Sequence, residues 1–230
     1  MKGLLVTLLT LLVLAVAADR IALVIAERQV AAQLESSGKL SSRPDVSVHG
    51  IPFLTQALSG RYDDVELSAS EVTAGGGRVS QLDATLRGVH VPLSDALSGS
   101  VQAVPVDSVR ATVLISYADL SRQLRDRGLA VSPAGSLLRV TGSERVLGQT
   151  VRAAAVSSVA LRGTSVVVTA QRFEVGNSVA DRLLTSALAG RFDFTVRIGT
   201  LPYGLALTGV RVDPRGVVAT AAGSHTVLRR

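Results

Sequence analysis

An α+β fold built mainly from antiparallel strands is what this sequence predicts, and three observations predict it. About ten segments alternate apolar and polar residues and are joined by turn-forming residues, the pattern of hairpin-connected strands with one dry and one wet face. Hydrophobic residues make up 47% of the 230 but aromatics only 3%, so the interior must be assembled from Val, Leu, Ala and Ile. The stretch from Gly50 to Asp64 is written again in part at an offset of 130 residues. Leu54/Leu184, Thr55/Thr185, Ala57/Ala187, Leu58/Leu188, Gly60/Gly190, Arg61/Arg191 and Asp63/Asp193 are identical pairs, and Ala96-Leu97-Ser98-Gly99 is a shorter echo. Each long copy reads as a helix stopped by a glycine in the left-handed conformation, followed by a strand. After the aspartate the apolar phase differs: Val65, Leu67 and Ala69 fall on odd positions, and Phe192, Phe194, Val196 and Ile198 on even ones. A one-residue change of phase turns a strand over, so the copies share a helix–turn–strand corner and not a whole repeat.

The elements follow in order. Met1-Lys2-Gly3 and the uncharged run to Ala18 have the layout of a secretory signal, with Ala15-Val16-Ala17 as a small-residue cleavage site; the run is 16 residues, short of the roughly 20 of a spanning helix. Ile21 to Ala26 resumes the apolar character after Asp19 and Arg20, so cleavage and retention as a signal-anchor both remain open. The expected division is therefore residues 1–18 as signal peptide or signal-anchor and residues 19–230 as a single α+β domain. Asp19 to Leu34 reads as an amphipathic helix with Ile21, Val24, Ile25, Val30 and Leu34 on its packing face and Glu27, Arg28, Gln33 and Glu35 opposite. Val46 to Val48 is a short strand leading into the corner helix Phe53–Ser59, whose stripe of Phe53, Leu54, Ala57 and Leu58 is expected to face the interior.

Val65 to Val72 and Val79 to Val91 are strands joined through Gly75-Gly76-Gly77, and Pro92 to Gly99 is a short helix. Val104 to Ile115 is a strand. Tyr117 to Arg127 is a helix stopped at Gly128, with Leu120 and Leu124 inward and Arg122, Arg125, Asp126 and Arg127 outward. Leu137 to Val146, Val151 to Leu161 and Val166 to Val175 form a meander. Asn177-Ser178 caps a helix from Val179 to Ala189, in which Leu184 and Leu188 point inward. Arg191 to Ile198, Leu205 to Val212 and Val217 to Ala222 are the last strands, the final pair joined by the turn Asp213-Pro214-Arg215-Gly216.

Composition narrows the function. Net charge is +6, and Lys2 and Lys39 are the only lysines, so the excess is carried by arginine. Basic charge favours an anionic partner, either phospholipid or nucleic acid. The arginines are spread singly along strands, and tryptophan is absent, which removes the clustered charge and stacking platforms that nucleic acids use. Cysteine is absent, and His49, His90 and His225 are too far apart in the chain for a helical ligand pair, so no metal site is expected. No phosphate loop, dinucleotide fingerprint or nucleophile elbow occurs, and Asp63-Asp64 are strand neighbours pointing to opposite faces. No catalytic residue and no cofactor is expected.

A sheet of small aliphatic residues rolled around helices leaves a lumen suited to hydrocarbon. Phe53, Leu54, Leu58, Leu184 and Leu188 are its expected lining, and Arg61 and Arg191, leaving the corner glycines, are its expected phosphate contacts through bidentate hydrogen bonds. The alternatives are an enzyme or enzyme accessory and a membrane-anchored structural protein.

Gly50-Ile51-Pro52-Phe53-Leu54-Thr55-Gln56 with Gly60-Arg61-Tyr62-Asp63, and Leu201-Pro202-Tyr203-Gly204-Leu205 with Leu207-Thr208-Gly209-Val210, resemble the LmeA-like family of actinobacterial envelope proteins, named for a lipomannan elongation factor. The resemblance runs over essentially the whole chain. It implies an exported phospholipid-binding protein of the cell envelope or periplasm, resembling tubular lipid-binding modules with an elongated apolar cavity. It implies phospholipid or another anionic lipid, and a membrane surface, as partners; it names no protein partner and no catalytic residue.

Overall fold

The computed structural model describes residues 2–36, 42–74, 77–146, 149–174, 192–198 and 200–229. Along the chain these form α1 (Lys2–Glu35), β1 (Asp45–His49), α2 (Phe53–Ser59), β2 (Arg61–Ala74), β3 (Gly77–His90), α3 (Leu93–Ser98), β4 (Ala103–Ser116) and α4 (Tyr117–Gln123). Then follow β5 (Leu129–Ala134), β6 (Leu137–Val146), β7 (Gln149–Arg162), β8 (Ser165–Glu174), β9 (Phe194–Arg197), β10 (Ala206–Asp213) and β11 (Gly216–Arg229). The fold class is the α+β one that the alternating segments predict, with antiparallel pairing and one sheet curled into a half-barrel. The strands divide into a six-stranded sheet of order β1-β2-β3-β4-β11-β10 and a five-stranded sheet of order β5-β6-β7-β8-β9. The break comes at α4, which interrupts the succession of hairpins, so that β5 opens a new sheet.

Strand β5 has no counterpart among the predicted strands. It is six residues long and carries Pro133, which cannot donate to a ladder; it is tolerated here because β5 is an edge strand, with Pro133 opposite Leu138. Strand β11 extends to Arg229, beyond the predicted end at Ala222. The predicted helix Val179–Ala189, with Leu184, Leu188, Gly190 and Arg191, lies outside the described residues.

Two compact units share the chain: Met1–Ser70, Asp83–Arg110 and Gly223–Arg230 form one, and Glu71–Leu82 with Ala111–Ala222 the other. In the first, Val46, Phe53, Ala57, Ala69, Val89 and Val106 are buried, and the Phe53 ring lies 6.1 Å from that of Tyr62. In the second, Leu129, Val131, Leu138, Val140, Ala153, Ala155 and Val168 close around Phe192, which meets Phe173 edge to face at 5.8 Å. With so few aromatics in the chain, this pair is the bulkiest packing in that core.

Helix α1 is continuous, and every residue from Lys2 to Ala18 is exposed, so the apolar run adds nothing to the core, as its signal-like layout predicts. From Asp19 onward the face assignment holds for Leu34, which is half-buried, and for Arg28, Gln33 and Glu35, which are exposed, and fails elsewhere. Ile21, Val24, Ile25 and Val30, expected to pack, are exposed; Asp19 and Ala31 are buried, and Glu27 faces β1, accepting the Val48 N–H at 2.9 Å. The polar anchors Asp19 and Glu27 hold backbone donors of α2 and β1, and that fixes the rotation of α1 against the apolar pattern.

The same competition turns α2. Its buried residues are Phe53, Gln56 and Ala57, an i, i+3, i+4 face, whereas Leu54 and Leu58, expected in the interior, are exposed. Gln56 causes the rotation: its amide donates to the His49 carbonyl (3.2 Å) and accepts from the Asp63 N–H (3.0 Å), satisfying loop and strand at once. Asp19 adds a second anchor by accepting the Leu54 N–H at 2.7 Å. A buried amide with its partners in place outweighs two leucines in a helix of two turns, because its loss leaves unpaired backbone groups.

Gly60 does end α2 in the left-handed conformation, at φ 66°, and Gly99 ends α3 the same way at φ 67°. At Gly60 a Cβ would also stand 3.2 Å from the Val91 carbonyl oxygen and from Pro92 Cα. Gly60→Ala is therefore expected to destabilise the fold by at least about 1 to 2 kcal/mol, read as a lower urea midpoint at unchanged slope.

Candidate functional site

The site is built where α4 lies over the start of the five-stranded sheet. Ser116 caps α4, its Oγ accepting the Asp119 N–H at 3.1 Å. The buried Asp119 carboxylate in turn accepts from Ser116 Oγ (2.6 Å) and Ser80 Oγ (2.9 Å) and pairs with Arg122 one turn on. Ser121 ties the helix to β5: its Oγ accepts the Val131 N–H at 3.0 Å and lies 3.3 Å from the Val131 carbonyl. On the other flank the Tyr117 hydroxyl donates to the Asp213 carbonyl at 2.5 Å. Leu120 and Leu124, on the inner face as their spacing predicts, pack on the Phe192 cluster.

Held this way, α4 and strands β5–β7 enclose an open groove of about 660 Å³. Its walls are Ala118, Leu129, Ala130, Gly142, Ala153 and Ala154, with Thr141 and Ser121 among them. Small side chains leave the room: Gly142 has Leu129 Cδ2 at 2.9 Å and Phe192 Cζ at 3.6 Å from where a Cβ would stand. Arg122 and Arg125 line one side, and Glu174, paired to Arg139 at 3.0 Å, another. Arg125 is exposed and makes no ion pair with a described residue, so its guanidinium is available to an anion.

The electrostatics of the mount are set by Asp119. Its hydrogen bonds from Ser116 and then Ser80, with the nearby Arg122 and Arg78, hold its carboxyl below the ordinary aspartate value of 3.8 against the opposing effect of burial. Burial, reinforced by the Asp213 charge, raises the Tyr117 phenol. A lowered carboxyl adds stability that is complete above the unfolded value and is lost as pH falls through the folded one. Asp119→Asn should consequently destabilise the unit at neutral pH by about 1 to 3 kcal/mol, and the deficit should vanish toward strongly acid pH; paired urea titrations across the acid range read this directly.

The residues singled out from the sequence are placed elsewhere. Phe53 is a core residue of the first unit; Leu54 and Leu58 are on the surface. Arg61 donates to Asp107 at 2.9 Å and lies 3.4 Å from His90 Nε2, with about half of its side chain exposed. Leu184, Leu188 and Arg191 lie outside the described residues. His49 is satisfied by Glu66 at 3.3 Å, and no group of three potential metal ligands occurs among the described residues. The signal that points to the groove is Arg122 and Arg125, three residues apart beside a Ser-x-x-Asp helix start, with the alanine run of β7; this pair departs from the expectation that the arginines are spread singly along strands.

Helix α1 has the length and apolar composition of a membrane span or a signal sequence. No curated protein and no solved structure matches the chain. The model of the LmeA-like phospholipid-binding family matches residues 17–222, beginning where the apolar run of α1 ends and covering the corner, the groove and the final strands. The chain therefore belongs to the LmeA-like phospholipid-binding family, and lipid is its ligand class.

Proposed function

We propose that this is an exported envelope protein, held at the outer face of the cytoplasmic membrane, that takes up the acyl chains of a phospholipid in the alanine-lined groove beside α4. In this reading Arg125, with Arg122, contacts the phosphate, and residues 19–230 act as a non-catalytic carrier or presenter of lipid in envelope glycolipid assembly of the lipomannan type. Arg61, and Arg191 from outside the described residues, serve as further contacts for anionic head groups. The observation that carries this reading is the coincidence of small aliphatic walls with a guanidinium at the rim, that of Arg125, which has no ion-pair partner among the described residues. The volume is in the range of small-molecule sites, and each buried methylene contributes about 0.8 kcal/mol. Roughly ten methylenes would then offset the cost of immobilising a lipid.

Native mass spectrometry of the full chain purified from membranes should find phospholipid bound, and affinity should rise with acyl length. Arg125→Ala should weaken binding of anionic lipid more than zwitterionic lipid, by about 1 to 2 kcal/mol. A protein that purifies without lipid and takes none up from vesicles would end this proposal.

A further inference from the structure

The exposed leucines of the corners call for an account that the groove does not supply. Leu58 is 74% exposed and Leu97 77%, at the same place in the two copies of Ala-Leu-Ser-Gly; Ile51 at 85% and Leu54 at 38% accompany them. Both helices end at a left-handed glycine, and the end of α2 meets the start of α3: the Val91 N–H donates to the Gly60 carbonyl at 2.9 Å, and Gly60 packs on Pro92. Scattered single hydrophobes on a surface are ordinary, but three on two adjoining short helices, with Ile51 just before the first of them, make a patch.

Helix α1 says what covers it. The Leu54 N–H is bonded to Asp19, at the end of the all-round apolar run, so α2 is fixed alongside α1 at that level. Past Asp19 the outward face of α1 remains apolar through Ile21 and Ile25, so the exposed apolar length from Leu4 to Ile25 is about 33 Å at 1.5 Å per residue. That matches a hydrocarbon thickness of roughly 30 Å. Asp19 then sits about 9 Å inside the end of this span, within the roughly 5 to 10 Å to which interfacial helices bury their apolar faces. Asp19 enters neutralised, paired with Arg20 and capping α2. Arg20 and Arg61 beside the patch are each paired with a carboxylate, Asp19 and Asp107, so no unpaired acidic group of these pairs opposes its entry. A bilayer continuous with the one that α1 enters covers the apolar patch.

We infer that the paired corners α2 and α3 form a bilayer-docking surface, inserted into the outer part of the leaflet from which α1 emerges, with Leu58 and Leu97 as its deepest side chains. The inference rests on the reading that α1 lies in the membrane and is independent of the groove. Such docking holds the first unit against the surface at two places, so that it does not pivot freely on a single helix.

The chain has no cysteine, so single cysteines can be introduced without competition. The full chain carrying Leu58→Cys or Leu97→Cys would be labelled with an environment-sensitive fluorophore and reconstituted into phosphatidylcholine–phosphatidylglycerol vesicles. Leu9→Cys within α1 and Thr164→Cys in the turn after β7 serve as references. Labels at positions 58 and 97 should shift to the blue, lose emission to spin-labelled acyl chains and gain several-fold protection from iodide, while position 164 stays water-like. Leu58→Asp, at a surface position where no packing is lost, should return the label at position 97 toward water. If positions 58 and 97 behave as 164 does while position 9 is quenched by lipid, α1 is an anchor and the docking surface is overturned, with a protein partner the remaining cover for the patch. If position 9 is also water-like, the membrane reading of α1 falls together with the inference.

Discussion

Replacing Phe192 by alanine is expected to remove about 3 to 5 kcal/mol of stability, a large share of the roughly 5 to 15 kcal/mol that holds a domain folded. The ring is 2% exposed, meets Phe173 edge to face and packs on Leu129 and Val140 in a core otherwise made of Val, Leu and Ala. Small aliphatic neighbours on strands cannot collapse into the space, because the ladder spacing holds their backbones apart. The cavity would therefore persist, and the full penalty should appear as a lower urea midpoint. Phe192→Leu, which keeps most of the volume, should recover more than half of the loss. An alanine variant as stable as the parent would show that Phe192 is peripheral to that core.

Placing tryptophan at Ala130 is expected to abolish phospholipid uptake while leaving the fold nearly intact. Ala130 is exposed on the groove wall, opposite Thr141 in the β5–β6 ladder, so a large ring there enters open space and not a packed interior. Overpacking a core costs roughly 1 to 3 kcal/mol, and little of that applies to an open groove. Loss of co-purified lipid with an unchanged urea midpoint is the expected pair of results. Retained lipid with tryptophan in place would move the acyl chains out of this groove. Leu58→Trp, which would narrow a lumen if Leu58 lined one, is expected to leave uptake unchanged, because that side chain points outward.

Much of the secondary structure was legible in the sequence. Alternating segments announced most of the strands, Gly60, Gly99 and Gly128 stopped helices as left-handed caps, and Asp213-Pro214-Arg215-Gly216 formed its turn with Asp213 accepting the Arg215 N–H at 3.1 Å. These are local signals, set by φ preferences and side-chain bonds within a few residues. The site was legible only in part. Arg122, Arg125 and Arg127 were read correctly as outward, although the expected helix Tyr117–Arg127 ends at Gln123 and a separate 3-10 turn, Arg125–Arg127, follows it; the relation of Arg122 and Arg125 to Ala130, Ala153 and Ala154 depends on the pairing of β5 with β6 and β6 with β7, which no local pattern states.

The sequence by itself determined the α+β class, the apolar N-terminal helix, the left-handed glycines that close the helices at the corners and the family to which the chain belongs. Only the tertiary structure decided which way α1 and α2 face. Hydrophobic periodicity in α1 and α2 pointed one stripe inward; the structure keeps Phe53 and Ala57 buried and turns Ile21, Val24, Ile25, Val30, Leu54 and Leu58 outward. The reason is that Asp19, Glu27 and Gln56 each satisfy backbone groups of another segment, and a buried unpaired donor costs more than an exposed leucine. Those partners lie 35, 21 and 7 residues away, so the rotation is a property of the assembled unit and not of the helix that carries the stripe.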